Sequence, residues 1–305
     1  MRIGLMMGAA DRGATVADLV RQAQDIEARG IHDLWMANTF AQDAISMLTV
    51  IGHATKRIGL GTAVTPTYPR HPTAIAQQAL TAAGASNNRF CLGIGLSHRP
   101  VIENMLGFSY DKPARHMREY LAVLDPLLRG EAANFDGEHY RVHGLKLQVP
   151  GAESVPVVVA ALGPVMLKLA GAASDGTTTW MTGPKTLESH IIPSIHKAAG
   201  DAGRPAPMVV GGFPIVLTRQ VDAARERIAK ALTVYGQLDS YRAMLDREGV
   251  RGPADIALVG DESVLVAELA RLRDMGVTHF NGAIVQVEDG AYDRTLEFMS
   301  SQALA

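Results

Sequence analysis

The chain has 305 residues, 47% of them hydrophobic and 20% charged, with a formal net charge of −2. This near-neutral charge gives no electrostatic reason to expect nucleic acid or an anionic membrane as a partner. Cys91 is the only cysteine, which excludes an internal disulfide and thiol-rich metal sites. The first residues lack a leader pattern, and no apolar run reaches about 18 residues. We therefore expect a cytoplasmic protein.

Short apolar runs alternate with longer amphipathic segments from the beginning of the chain to its end. Eight runs are predicted as strands, at 3–7, 33–37, 58–64, 90–95, 155–160, 176–180, 208–217 and 279–285. Helices are predicted at 15–29, 43–55, 72–85, 115–128, 164–173, 184–202, 220–247, 263–275 and 292–300. A small hairpin is predicted from 135–142 and 146–149, and a linker at 249–255.

Repeated strand–helix units require parallel strands, and eight such units can close into a barrel. An open dinucleotide-binding sheet would need G-x-G-x-x-G after its first strand, where this chain has residues 8–13, Gly-Ala-Ala-Asp-Arg-Gly. The pattern therefore favours an α/β fold, a (β/α)8 TIM barrel. One domain is expected to span 1–305, with a small inserted hairpin and extended loops at the C-terminal mouth of the strands.

In such barrels the functional residues follow the C-terminal ends of the strands. The loops at these positions are small, neutral and rich in hydroxyl groups. They lack a pair of carboxylates for glycosidase chemistry and a His/Asp/Glu cluster at metal-ligand spacing. We expect no metal, but an organic cofactor that brings its own reactivity to a small-molecule substrate.

Three stretches carry a family resemblance: residues 60–72 (LGTAVTPTYPRHP), 88–95 (NRFCLGIG) and 161–171 (ALGPVMLKLAG), the last followed by Ser174-Asp175-Gly176. Their sequence and order resemble the luciferase-like flavin and deazaflavin oxidoreductases. The first and third of these stretches, through residues 61–66 (GTAVTP) and 161–164 (ALGP), look most like the branch that uses coenzyme F420, a deazaflavin.

The resemblance implies a cofactor across the barrel mouth. It places a non-proline cis peptide between Ala63 and Val64, backing the cofactor ring, with Thr65 at the ring edge. Gly163, at the start of a helix, is the phosphate candidate because free amides and the helix dipole attract anions there. The resemblance places further cofactor-binding positions in the same loops: Asn38, Thr39, Gly95, Leu96, Ser97, Ala161 and Leu162.

The second strand departs from the best-known deazaflavin enzymes, which often end it with an acid and a proton-donating histidine. Asn38 and Thr39 stand at these positions, and Thr39 cannot exchange protons near neutral pH. Asn38 can still hydrogen-bond a ring carbonyl or amide. His98, where those enzymes carry a glutamate, is our candidate acid/base group, against the alternative of a solvated loop histidine. Trp180 is assigned to the substrate wall, with a packed core tryptophan as the alternative.

These observations predict a coenzyme F420-dependent oxidoreductase that transfers a hydride between the deazaflavin and a small organic substrate. An FMN-dependent monooxygenase on the same fold is the first alternative. A non-catalytic cofactor-binding barrel is the second, because Thr39 leaves no obvious proton donor. The resemblance also implies a homodimer.

Overall fold

A computed structural model describes residues 1–7 and 13–305. The described strands, in chain order, are β1 (Arg2–Met7), β2 (Asp33–Met36), β3 (Gly59–Thr62), β4 (Thr65–Pro66), β5 (Phe90–Gly95), β6 (Ala133–Asp136), β7 (Arg141–Leu145), β8 (Val157–Ala160), β9 (Gly176–Thr179), β10 (Met208–Leu217), β11 (Leu258–Gly260) and β12 (His279–Ile284). Eight of them close into a parallel barrel in the order β1, β2, β3, β5, β8, β9, β10, β12. Closure is made by β1 and β12, where Gly4 is in register with Asn281. The predicted α/β TIM barrel is thereby confirmed.

Helices surround the barrel as the alternation predicted. They are α1 (Val16–Ala28), α2 (Ala44–Ala54), α3 (Pro72–Ala85), α4 (Pro113–Leu128), α5 (Pro164–Ala173), α6 (Pro184–Thr186), α7 (Ile192–Asp201), α8 (Val221–Ala231), α9 (Asp239–Glu248), α10 (Glu262–Asp274) and α11 (Ala291–Leu304). A π turn over Leu187–Ile191 joins α6 to α7. The helix starts follow local chemistry: Thr15 and Asp18 form a capping box at α1, and Asp43 caps α2.

The barrel interior is filled around one tryptophan. Trp35 is only 2% exposed and packs with Val158 and Val210. A Cβ built on Gly61 would lie 2.3 Å from the Trp35 ring, so this strand position must be glycine for the indole to fit. A larger core outside the barrel packs the outward-facing strand residues against the helices, which holds the strand ends in fixed positions.

Four sequence predictions about elements need correction. The inserted hairpin exists, but its strands are β6 and β7, so the predicted strand at 135–142 wrongly spanned the turn. The single helix at 220–247 is instead α8, a 3-10 turn over Tyr235–Gln237 and α9. A short strand, β11, was missed and pairs beside the end of β10. The strand at 58–64 ends at Thr62, and β4 follows it.

The missed and shifted elements share a physical cause. The corrected strands and the turn between α8 and α9 are short, and their positions depend on contacts with distant residues rather than on the local pattern of apolar residues. Residues 8–12, which follow the first predicted strand and include Arg12, lie outside the described residues.

Candidate active site at the carboxyl ends of the strands

The floor of the mouth is made of small residues. Side chains alternate along a strand, so positions two residues beyond the layer of Trp35 face the same interior. Six of these positions carry alanine or glycine, namely Ala37, Ala63, Gly95, Ala160, Gly212 and Ala283. The other two carry Met6 and Trp180. An uncharged floor of this kind leaves room for a planar organic group above it.

The loop after β3 is fixed to its neighbours. The Ala63–Val64 peptide bond is cis, as the sequence predicted. Ala63 N donates to Met36 O at 2.8 Å, and Asn38 N donates to Val64 O at 3.3 Å. A Cβ at Gly95 would lie 2.7 Å from Val64 Cγ2, so glycine is required for this close approach.

Thr65 is completely buried, and its hydroxyl has no hydrogen-bond partner among the described residues. Its side chain therefore does not face the open mouth. The predicted contact from Thr65 to a cofactor would have to come from its main chain or from a rearranged side chain.

The loop after β2 places the two predicted residues differently. Asn38 is half-buried, and its Oδ1 accepts from Ala44 N at 3.0 Å, which ties the loop to the first turn of α2. Arg70 lies 3.5 Å from the same oxygen and is ion-paired with Asp43. The Asn38 amide nitrogen makes no hydrogen bond within residues 1–7 and 13–305 and can donate to a ligand. Thr39 is exposed.

Arg70 and Asp43 form a largely buried ion pair in which both side chains are charged. Burial opposes ionisation of Asp43, but hydrogen bonds from Ser46 and the charge of Arg70 together hold its pKa below the ordinary value. The positive charge of Arg70 is thus already balanced by the carboxylate of Asp43.

The loop after β5 carries the next predicted set. Gly95 O accepts from Thr67 N at 3.0 Å, and Leu96 packs against the main core. Ser97 has a φ of 59°, in the left-handed region that non-glycine residues rarely adopt. Its carbonyl accepts from Tyr110 Oη at 3.2 Å, which fixes the turn that presents His98.

His98 is half-buried at the mouth, and its ring centroid lies 5.2 Å from that of Tyr241 on α9. Burial lowers the pKa of His98 below 6.5, so the imidazole is neutral at neutral pH. Neither ring nitrogen has a hydrogen-bond partner in the described part of the chain. A neutral imidazole of this kind can donate from one nitrogen and accept at the other.

Two neighbouring helices begin with the same Gly-Pro pair but differ at their first turns. Gly163 precedes α5 and makes no side-chain cap, and a Cβ built on it would meet no atom within 4 Å. At Gly183 the carboxylate of Glu248 accepts from Lys185 N at 3.0 Å and from Thr186 N at 2.7 Å. The protein thus places its own anion at the start of α6, whereas the first amides of α5 have no acceptor among residues 1–7 and 13–305.

The two residues before Gly163 have structural contacts. Ala161 is 1% exposed and packs in the main core. His190 Nε2 donates to Leu162 O at 2.8 Å. Ala161 and Leu162 therefore stabilise the turn before α5, while the space beside Gly163 stays free.

Trp180 follows β9 and is half-buried at the mouth. Its ring meets that of Tyr235 edge-on, with centroids 6.2 Å apart. Met181, behind it, is fully buried with Leu245 and Ile256. Trp180, one of the two large side chains of the floor layer, therefore packs against Tyr235 and the Met181 cluster.

Sequence reasoning missed Tyr235, Tyr241 and Glu248. All three lie in a polar segment that carried no motif, and each reaches the mouth only through the fold. The one available signal was the pair of tyrosines near Gly236, in a region otherwise poor in aromatic residues.

The fold and the site together define an α/β-barrel protein whose described mouth has a floor of small, uncharged residues and, at α5, a helix start without a side-chain cap. The sequence profile of the luciferase-like monooxygenase family matches residues 1–279. The chain therefore belongs to this family of oxidoreductases, and the sequence resemblance is confirmed.

Two relatives illustrate the range within the family. The chain is 30% identical over 247 residues to 5,10-methylenetetrahydromethanopterin reductase of Methanolobus tindarius, covering 80% of this chain and 74% of the relative. It is 31% identical over 198 residues to F420-dependent glucose-6-phosphate dehydrogenase of Mycobacterium avium, covering 60% and 59%.

Solved structures share the fold along the whole chain. The coenzyme F420-dependent tetrahydromethanopterin reductase of Methanopyrus kandleri superposes with a TM-score of 0.81 at 21% identity, covering 99% of this chain and 98% of that one. An F420-dependent secondary alcohol dehydrogenase, in complex with an F420-acetone adduct, gives 0.81 at 19% identity, covering 100% and 99%.

Proposed function

We propose that the protein is a coenzyme F420-dependent oxidoreductase that transfers a hydride between the deazaflavin and a small organic substrate. The observation that carries the proposal is the contrast between the helix starts at Gly163 and Gly183. A phosphate-bearing cofactor fits the open amides of α5, while Glu248 already fills the equivalent place at α6. The F420 dependence of the Mycobacterium avium relative supports the same cofactor.

The small floor residues fit a planar ring, and bound F420 would supply the hydride chemistry. The residues that would hold it are Gly163 at the phosphate, the Ala63–Val64 peptide behind the ring, and the Asn38 amide at the ring edge. The remaining loop positions, Thr39, Thr65, Gly95, Leu96, Ser97, Ala161 and Leu162, would complete the cofactor site.

His98 is proposed as the catalytic group that holds or moves a proton at a substrate oxygen, with Asn38 as a second polar contact. The half-buried, neutral imidazole supports this role because it can accept a proton or share one. Trp180 is proposed to bound the substrate and exclude water.

The cofactor site is tested by placing a carboxylate at the open helix start. Val165 is 60% exposed in the first turn of α5, so Val165→Asp should fold and weaken F420 binding about tenfold through repulsion of the phosphate. The isosteric Val165→Asn is the matched control and should bind nearly as the parent does. Titration of the full chain with F420, followed by absorbance, measures both. Equal affinities of the Asp and Asn variants for F420 would show that the phosphate does not bind at the start of α5.

The same titration with FMN separates the alternatives. Preferential binding of FMN would favour a flavin-dependent monooxygenase. Tight binding of F420 without reduction by any alcohol or oxidation by any carbonyl compound would favour a non-catalytic cofactor-binding barrel.

We also propose a single-domain, cytoplasmic homodimer. The near-neutral charge supports a small-molecule partner, and no helix in the described residues is long and apolar enough to cross a membrane. Sedimentation of the purified chain tests the dimer.

A further inference from the structure

Four aromatic rings form a continuous row at the mouth. Trp180 meets Tyr235 at 6.2 Å, Tyr235 meets Tyr241 at 5.7 Å, and Tyr241 meets His98 at 5.2 Å. The interplanar angles lie between 61° and 79°, so the rings are packed edge to face. The row, here called the aromatic row, joins the end of β9, the 235–241 segment and the loop after β5.

The strand order shows where the aromatic row lies. β8 sits between β5 and β9 in the barrel, so a row that links the ends of β5 and β9 passes by the end of β8. The loop after β8 leads to Gly163 and the open start of α5. The row and the proposed cofactor site are therefore on the same side of the mouth.

In the described chain, no charged side chain shifts the pKa of the three titratable groups of the aromatic row, His98, Tyr235 and Tyr241. Burial alone lowers the pKa of His98 and raises that of Tyr235. Burial, with Tyr235 as a smaller cause, raises the pKa of Tyr241. A lysine, arginine or carboxylate facing the row would shift these groups by its own charge, and none does so.

The nearby cations have other partners. Arg99 is ion-paired with Glu103 and lies over the Tyr110 ring, 5.2 Å from its centroid. Arg242 on α9 pairs with Asp246 and donates to the carbonyls of Val250 and Arg251. An anionic substrate would therefore enter without a counter-charge from the residues that border the row.

The polar atoms of the row are all neutral. The imidazole of His98, the two tyrosine hydroxyls and the Trp180 indole N–H make no hydrogen bond within the described residues. These neutral donors and acceptors lie among the edges of aromatic rings. Such a surface suits a ligand that is mostly apolar and carries a single oxygen atom.

From this geometry we infer that the aromatic row is the substrate wall, and that the substrate is an uncharged organic molecule with an apolar body and a carbonyl or hydroxyl oxygen. The oxygen hydrogen-bonds to His98, and the body lies against Tyr241, Tyr235 and Trp180. The inference rests on the proposed function and adds the substrate class.

The test compares two probes that share one ring and differ in charge, cyclohexanone and cyclohexanecarboxylate. Each is titrated calorimetrically into the full chain loaded with F420. Cyclohexanone should bind at least about tenfold more tightly than the carboxylate, which corresponds to about 1.4 kcal/mol. Equal binding, tighter binding of the carboxylate, or binding of neither overturns the inference.

Variants assign the preference to the aromatic row. Tyr241→Ala and Tyr235→Ala should each weaken cyclohexanone binding about fivefold or more, while Tyr241→Phe retains most of it. Phe108→Ala, which removes an exposed ring outside the row, is the control and should bind as the parent does. Unchanged binding by Tyr241→Ala overturns the wall assignment. A separate F420 titration of each protein shows whether the cofactor site, and with it the proposed function, has failed instead.

Discussion

His98 and Thr39 each follow a barrel strand, yet only His98 can gain or lose a proton near neutral pH. The two residues also differ in setting, because Thr39 is exposed while the imidazole is half-buried beside Tyr241. Of these two mouth residues, the titratable one is therefore in the loop after β5. This placement brings the imidazole to the aromatic row.

Removing the Tyr241 ring should change the titration of His98. Burial lowers the pKa of His98, so the native imidazole stays neutral to a lower pH than a free histidine does. Tyr241→Ala admits water to the ring and should raise that pKa towards about 6.5. The midpoint is read from the histidine ring-proton shift by NMR. A midpoint that stays in place or falls would mean that Tyr241 does not shield the imidazole.

A second buried histidine should make stability depend on pH. The His116 ring stacks on Tyr68 at 4.0 Å and lies 2.9 Å from Thr67 Oγ1. Burial, with a smaller contribution from His139, lowers its pKa to about 4. Between about pH 6.5 and 4 the unfolded chain therefore binds a proton that the native chain does not. Stability should fall by on the order of 2 kcal/mol as pH decreases through this window.

His116→Phe tests this assignment because it keeps the stack and cannot be protonated. The variant loses the contact with Thr67 and is less stable at pH 7, but its urea midpoint should fall less between pH 7 and about 4.5. His196→Gln, at an exposed position, should follow the parent. An equal fall in the parent and His116→Phe would assign the acid sensitivity to other groups.

At the scale of elements, Glu248 links α9 to the barrel. Its carboxylate is the cap of the α6 first turn, and a Cβ at Gly183 would lie 2.3 Å from the Glu248 Cδ. The same helix carries Tyr241, so this cap also holds one ring of the aromatic row in place.

Removing the cap should loosen both helices together. Glu248→Ala leaves two backbone amides without their acceptor and is expected to cost about 1–2 kcal/mol locally. Hydrogen exchange should accelerate in residues 184–191 and 239–250. Glu188→Gln, an exposed change on the adjoining π turn, serves as the comparison and should leave exchange unchanged. Faster exchange in α6 alone would show that α9 is held by its apolar packing.

The sequence predicted those elements whose boundaries are set by residues next to them in the chain. Pro72 begins α3, and the Thr15 capping box begins α1, at the places that their chemistry indicated. The segment after α8 was not predictable in this way. Tyr235 and Tyr241 acquire their role only because the fold brings His98 and Trp180 to them, and no local period of apolar residues encodes that meeting.

At the scale of the molecule, the closed barrel followed from counting strand–helix units, because each helix returns the chain to the same edge of the sheet. The sequence predicted that the mouth residues are small and neutral, but not which contacts each of them makes. Asn38 illustrates the limit: its residue type indicated a ligand contact, whereas its carbonyl oxygen is used to anchor α2. A single amide can serve both purposes, and only the three-dimensional arrangement separates its two ends.

Barrel closure also depends on glycine where strands approach each other most closely. A Cβ on Gly93 would lie 1.8 Å from the backbone oxygen of Thr62, so the strands of Gly93→Ala must separate. We expect a loss of at least about 3 kcal/mol, measured by urea unfolding. Gly84→Ala is the matched change inside α3, where the new Cβ meets its nearest atom at 3.5 Å. It should stabilise the protein by about 0.5–1 kcal/mol, because alanine loses less backbone entropy in a helix. A Gly93→Ala variant as stable as the parent would show that β3 and β5 can separate without loss of the barrel.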